Sequence, residues 1–339
     1  MYNKILAPIV GIISLCANVA VAQENQWTSA RPDGHAPIGI MGDHYHKKGE
    51  LMFSYRSMSM WMDGNLQSRD EISNEELFED FIIAPQEMNM RMEMLDVMYA
   101  PSDRITLTLM GKYVKNTMDL RTASSIDFTT EAKGFGDISV GSLVKIINKN
   151  RQSLHGNISV SIPTGDIDQR DATPMSDNAP LAYLMQLGSG TWDPSLGLTD
   201  LGQSDQFSWG AQSMYKIRLG ENSEDYSLGN RFDAVGWGAI KVSDYVSFSA
   251  SIRYFDLQQI DGADPDLNPV IMPLFNTDNS GRSQLDTGLG MNFLIPDGSL
   301  KNFRFAAEVK VPAYQEVNGI QMENTLMSTF GVQYVIRHK

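Results

Sequence analysis

"MNMRMEMLDVMYAPSDR" occupies residues 88–104. Met88, Met90, Met92, Met94 and Met98 all stand at even positions. A repeat of two is the period of a β-strand, whose side chains alternate between its faces. Leu95, Val97 and Tyr99 form the opposite face, and "APSDR" supplies a tight turn into the next segment. The same alternation runs through "ELMFSYRSMSMWM" (50–62), with Leu51, Phe53, Tyr55 and Trp61 on one face. It returns in "QFSWGAQSMYKIRL" (206–219) and in 285–295 and 302–312. These runs reach roughly 10 residues or more, whereas strands of ordinary globular sheets centre on about 5–6. Strands that cross a bilayer need about 9–11.

Twelve such segments can be marked: 50–62, 87–100, 103–118, 134–147, 152–163, 191–202, 206–219, 229–242, 245–257, 283–295, 301–312 and 326–337. Their connections alternate in length. "APSDR", "INKNRQ", "GQSDQ", "KVSDYV" and "PDGSLK" are short; 63–86, 119–133, 164–190, 220–228, 258–282 and 313–325 are long. Short periplasmic turns and long extracellular loops are the rhythm of an outer-membrane barrel. The expected fold is therefore all-β: a transmembrane antiparallel β-barrel of about 12 strands over 50–339. Closure removes the exposed edges that so long a sheet would otherwise carry. "TFGVQYVI" (329–336) resembles the C-terminal assembly signal of such barrels, so the barrel assembly machinery is an expected partner.

The N-terminus fits export. Lys4 precedes an apolar run from Ile5 to Cys16, and Ala20-Val21-Ala22 makes a small-residue cleavage site. Residues 1–22 read as a signal peptide, and 23–49 as a periplasmic N-terminal segment. Cys16 is the only cysteine, so the mature chain holds neither disulfide nor thiol. The formal net charge of -14 argues against nucleic acid as a partner. The acid concentrates in expected loops such as "DGNLQSRDEISNEELFED" (63–80) and "DGADPD" (261–266). Outer-membrane lipid and lipopolysaccharide are the expected surroundings, and a small-molecule solute the expected cargo.

With odd positions on lipid in the first three strands, even positions line the lumen. Met58, Met60, Met62, Met90, Met92, Met94, Met98 and Met110 then share one inner wall with Met52 and Met88. Arg56, Lys112, Arg218 and Arg304 add cations to the inside. We read these residues as candidate lumen or solute contacts. Three uses of the methionines stand open: a packed wall, an adaptable surface for hydrophobic cargo, and soft ligands for copper. The last draws on "MGDHYHKKGE" (41–50), where Met41, His44 and His46 could hold a metal. No resident cofactor is otherwise expected. His155, Asn157 and Ser159 line up on one strand, which makes them parallel rather than a relay. The chain has no G-x-S-x-G, phosphate loop or H-E-x-x-H, so no enzyme is expected.

"GFGDISVGS" (134–142), "SVSIPTGDIDQRD" (159–171) and "MQLGSGTWDPSLGL" (185–198) resemble the meta-pathway of phenol degradation family. "MGDHYHKKGELMFSYR" (41–56) and "DGADPDLNP" (261–269) resemble a Met-rich subgroup of it. The resemblance implies an outer-membrane barrel that takes up aromatic or other hydrophobic compounds, and it supplies no catalytic residues. The functional expectation is an outer-membrane channel for small, aromatic or hydrophobic solutes. The alternative is a Met/His-rich envelope protein that handles copper without a conducting pore.

Overall fold

The computed structural model describes residues 27–336; the signal peptide read at 1–22 lies outside them. A single antiparallel sheet closes on itself. Its strands are β1 (Leu51–Gln67), β2 (Ile83–Tyr99), β3 (Ile105–Thr122), β4 (Asp127–Phe135), β5 (Ile138–Lys149), β6 (Gln152–Ile162) and β7 (Asp193–Gln203). They continue as β8 (Phe207–Lys216), β9 (Arg231–Lys241), β10 (Val246–Leu257), β11 (Arg282–Leu294), β12 (Phe303–Val317) and β13 (Ile320–Ile336). β13 returns to β1 in a register running from Leu51↔Ile336 to Gln67↔Ile320. β4 and β5 share one place in the wall: β4 pairs with the upper part of β3, β5 with its lower part. The barrel thus has the twelve staves that the alternation predicts.

The predicted phase holds in the Met-rich strands. Met52, Met62, Met88, Met94, Met98 and Met118 are buried, while Phe53, Leu95, Tyr99, Leu107 and Leu109 face outward. The outer face carries Tyr245 and Phe293 near the short turns, and Trp192, Phe232 and Tyr254 near the loops, with aliphatic Ile252 and Leu289 between. At roughly 3.4 Å per residue and a tilt of about 40°, the stretch from Tyr245 to Tyr254 rises about 23 Å. That matches the ~25 Å apolar band flanked by aromatic girdles in outer-membrane barrels.

Three departures from the sequence reading have physical causes. The connection expected at 313–325 is a tight turn, with β12 and β13 meeting at Asn318 and Gly319 (φ 59°). The connection expected at 119–133 likewise shrinks to the turn between Thr122 and Asp127. In both places the strands run on past the lipid. Their outward residues there are charged and paired: Lys115–Glu131 and Lys133–Glu131 at 2.7 Å, Arg121–Asp127 at 2.6 Å and Arg69–Glu316 at 2.9 Å. Such exposed pairs contribute little stability, about 0–1 kcal/mol each. Their polarity made strand read as loop.

The segment expected as one strand over 134–147 is broken at Gly136 and Asp137. A Cβ on Gly136 would come within 2.5 Å of the Lys112 Cε and 2.9 Å of the Leu187 carbonyl oxygen. The backbone of the 164–190 loop presses against the wall there, and only glycine leaves it room.

Candidate functional site: a lumen filled from both ends

Residues 27–49, read as a periplasmic segment, fold up into the barrel at the end where the strands make short turns. Asp33, His35, Ile38, Ile40, Asp43, His44, Tyr45 and His46 are all buried. "PDGHAPIGIMGD" (32–43) is too rich in proline and glycine for regular structure, and its backbone groups need other partners. It turns at Gly34 N–H to Arg31 C=O (3.0 Å) and Ile40 N–H to Pro37 C=O (2.9 Å). Wall side chains satisfy much of the rest.

Arg304 donates to the carbonyls of Pro32 (2.7 Å), Arg31 (2.7 Å) and Ser29 (3.2 Å). Glu308 accepts from Gly39 N–H at 2.9 Å. Gln212 donates to the Met41 carbonyl at 3.0 Å, and Asn157 to that of Gly42 at 2.8 Å, where His155 Nε2 also lies at 2.9 Å. The His46 N–H donates to Thr106 Oγ1 at 2.9 Å. Apolar contacts complete the fit: Trp27, Ala36 and Ile40 pack on Leu201, Val235 and Trp237. The aligned His155 and Asn157 thus hold this N-terminal plug.

The opposite end is filled differently. Leu181, Ala182, Met185 and Leu187 from the 164–190 loop, with Met272 and Leu274 from the 258–282 loop, meet Met62, Met88, Val114, Met118 and Met322 on the wall. Met60, Met90 and Met92 lie against this cluster. The loop is pinned by the three motifs quoted above. Asp137 accepts from Gly165 N–H (2.9 Å) and Ser189 N–H (3.0 Å). Asp193 accepts from Thr191 Oγ1 at 2.7 Å and from Ser189 Oγ at 2.8 Å, and it pairs with Arg218. The convergence of the three motifs at 134–142, 159–171 and 185–198 on Asp137 and Asp193 spans three connections and has no periodic signal.

The methionine row therefore touches both fillings. Met88, Met90 and Met92 meet the loops, whereas Met98, with Met52, packs on Tyr45 of the plug. Met94 is buried on the same inner face. Met58 and Met110 are partly buried. Of the predicted cations, Arg56 faces Asp96 at 3.7 Å, Arg218 joins the loop hub and Arg304 clamps the plug.

Beneath the loops lies a cavity of about 290 Å³. Met90, Met92, Val114, Leu184 and Leu274 are apolar parts of its lining; Lys112, Lys216, Arg218 and Arg231 are cationic parts. Arg218 pairs with Asp193, and Arg231 with Asp233 at 2.7 Å. Among the described residues, Lys112 and Lys216 have no carboxylate within ion-pair distance. A second cavity of about 260 Å³ sits higher, against Met118, Phe128, Met185 and Met272.

Of the predicted metal ligands, His44 and His46 come together, with ring centroids 4.9 Å apart. Met41 is tied to the wall through its carbonyl. His35 and Asp43, not chosen from sequence as ligands, join His44 instead: the donor atoms of these three lie within 4.8 Å of one another. Burial and the nearby Arg304 guanidinium hold the His35 imidazole well below its usual pKa. His46 is lowered too, mainly by burial. The Asp43 carboxyl is held at about 2: burial opposes this, but its contact with His44, the Ala36 N–H and the Arg56 charge outweigh it.

Among solved structures, the COG4313 outer membrane channel from Pseudomonas putida F1 aligns with a TM-score of 0.61 at 13% identity, covering 88% of this chain and 99% of that one. The transport unit of the autotransporter AIDA-I from Escherichia coli aligns at 0.48 and 9% identity (87% and 93% covered). A Pseudomonas aeruginosa FadL homologue aligns at 0.38 and 10% identity (84% and 89% covered). No curated protein matches the chain in sequence. The family model described as "Putative MetA-pathway of phenol degradation" matches residues 98–323. With its closed twelve-stave barrel and inward-folded loops, the chain belongs to that family and has the fold of a bacterial outer-membrane β-barrel.

Proposed function

We propose that the channel takes up small, largely apolar solutes, single-ring aromatic acids among them, through the cavity beneath the loops. The observation that carries this reading is the cavity's mixed lining: thioethers and leucines beside the Lys112 and Lys216 amines. An engineered apolar cavity of about 150 Å³ takes benzene, so roughly twice that volume admits a substituted ring. Methionine side chains adapt to differently shaped rings. Two amines without carboxylate partners favour a solute that brings its own anion.

Proteoliposome uptake of benzoate, benzyl alcohol and glucose tests this. Wild type should pass benzoate and benzyl alcohol faster than glucose. The double variant Lys112→Met/Lys216→Met should lose several-fold in benzoate flux and keep benzyl alcohol flux. Equal flux of all three solutes, or equal losses for acid and alcohol, would refute the reading.

A further inference from the structure

We propose that the N-terminal plug contains a binding site for a divalent first-row transition ion, held by His35, Asp43 and His44, with His46 as the adjoining donor. The chain has five histidines; His35, His44, His46 and His155 are drawn into or onto the plug. The His35 and His44 ring centroids are 3.9 Å apart, and His44 and His46 are 4.9 Å apart. These three side chains are at least nine-tenths buried. Each keeps a buried ring nitrogen with no hydrogen-bond partner: His35 Nδ1, His44 Nε2 and His46 Nε2. Three such nitrogens on one cluster of rings are costly in a protein interior, where buried polar atoms are nearly always paired.

For His44 and His46 the carboxylates explain which nitrogen is left over. Asp43 Oδ1 lies 2.9 Å from His44 Nδ1, and Glu50 Oε2 lies 3.4 Å from His46 Nδ1. A carboxylate on one ring nitrogen places the proton there and leaves the other lone pair for a metal; this is the usual support of a ligating histidine. The second Asp43 oxygen is shared between the Ala36 N–H (2.9 Å) and His35 Nδ1 (3.9 Å). Imidazole and carboxylate donors suit Zn²⁺ or Cu²⁺, rather than Cu(I), which wants thioethers, or Mg²⁺ and Ca²⁺, which want oxygen alone. Arg56 and Arg304 stand close enough to act on His35. Their charge is engaged by Asp96 and by backbone carbonyls respectively. Every ligand comes from one stretch of the plug, so the ion would tie His35 to the Asp43–His46 segment across the turn at Pro37–Ile40.

The test is calorimetric titration of Zn²⁺, then Cu²⁺, into the tag-free mature protein, purified in detergent and stripped with chelator. Wild type should bind about one equivalent per chain. His35→Ala/His44→Ala should weaken that binding at least tenfold while keeping the heat-modifiable gel mobility of a closed barrel. Absence of a stoichiometric site in wild type, or unchanged affinity in this variant, would overturn the proposal. Should the variant fail to fold, X-ray absorption on Zn²⁺-loaded wild type decides. Two or more imidazole nitrogens at about 2.0–2.1 Å support the site; an oxygen-only shell overturns it.

Discussion

At the periplasmic end of the lumen, residues 29–42 are held by Arg304, Glu308, Gln212, Asn157 and His155, side chain to backbone. At the extracellular end, above the Asp137 hub that pins one of them, two loops meet Met62, Met88, Met118 and Met322, side chain to side chain. The first filling is directional. Each bond fixes a carbonyl or an N–H at one distance and angle, and one lost partner leaves a buried polar group unsatisfied. The methionine contacts of the second are non-directional. Methionine and leucine can slide and repack at small cost, which suits the solute uptake proposed above. Within one barrel, polarity of the wall decides whether a filling acts as a fixed stopper or an adaptable one.

The largest effect should come from removing the fixed stopper outright. Deleting 27–46 while keeping the export signal should raise single-channel conductance in planar bilayers several-fold. An unchanged conductance would mean that the loops alone limit the pore. Arg304→Ala comes next. It removes charge-assisted donors to three carbonyls, each bond worth about 1.5–3 kcal/mol when buried. Hydrogen exchange of residues 29–43 should accelerate at least a hundredfold, with the barrel still heat-modifiable. Gly42→Val should act in the same direction but less strongly. Gly42 has φ 63°, and an added Cβ would lie 2.8 Å from Asn157 Nδ2; strain of about 1–3 kcal/mol is expected. Proteolysis of the plug in folded protein reads this out. Met88→Leu should be smallest, below about 1.5 kcal/mol, because a volume-conserving swap suits an adaptable apolar contact. A destabilisation comparable to Arg304→Ala would erase the contrast between the two ends.

Much of the wall was readable along the chain. The methionines at 88–98 and the aromatics at 53–61 fix their faces by alternation, since slipping one residue would put every thioether into lipid and every ring into the lumen. The lumen cations were legible for the same reason, although their tasks were not. Arg304 looked like a charge facing solute and is a clamp on carbonyls; Arg218 looked the same and is part of the loop hub. Charge misled where the strands outrun the membrane, as at Lys115 and Glu131, because exposed polar strand and polar loop have similar composition.

By itself the sequence determined a closed antiparallel barrel, its facing and its short-turn end, because period and turn chemistry are local and repeat down the chain. Only the tertiary structure decided what fills the barrel. Residues 27–49 carry no period, and their partners lie far along the chain: Thr106, His155, Gln212 and Arg304. Asp137, Gly165 and Ser189 likewise meet only when the sheet has closed. Such contacts rest on single side chains finding single backbone groups across the lumen, and no local pattern encodes that pairing.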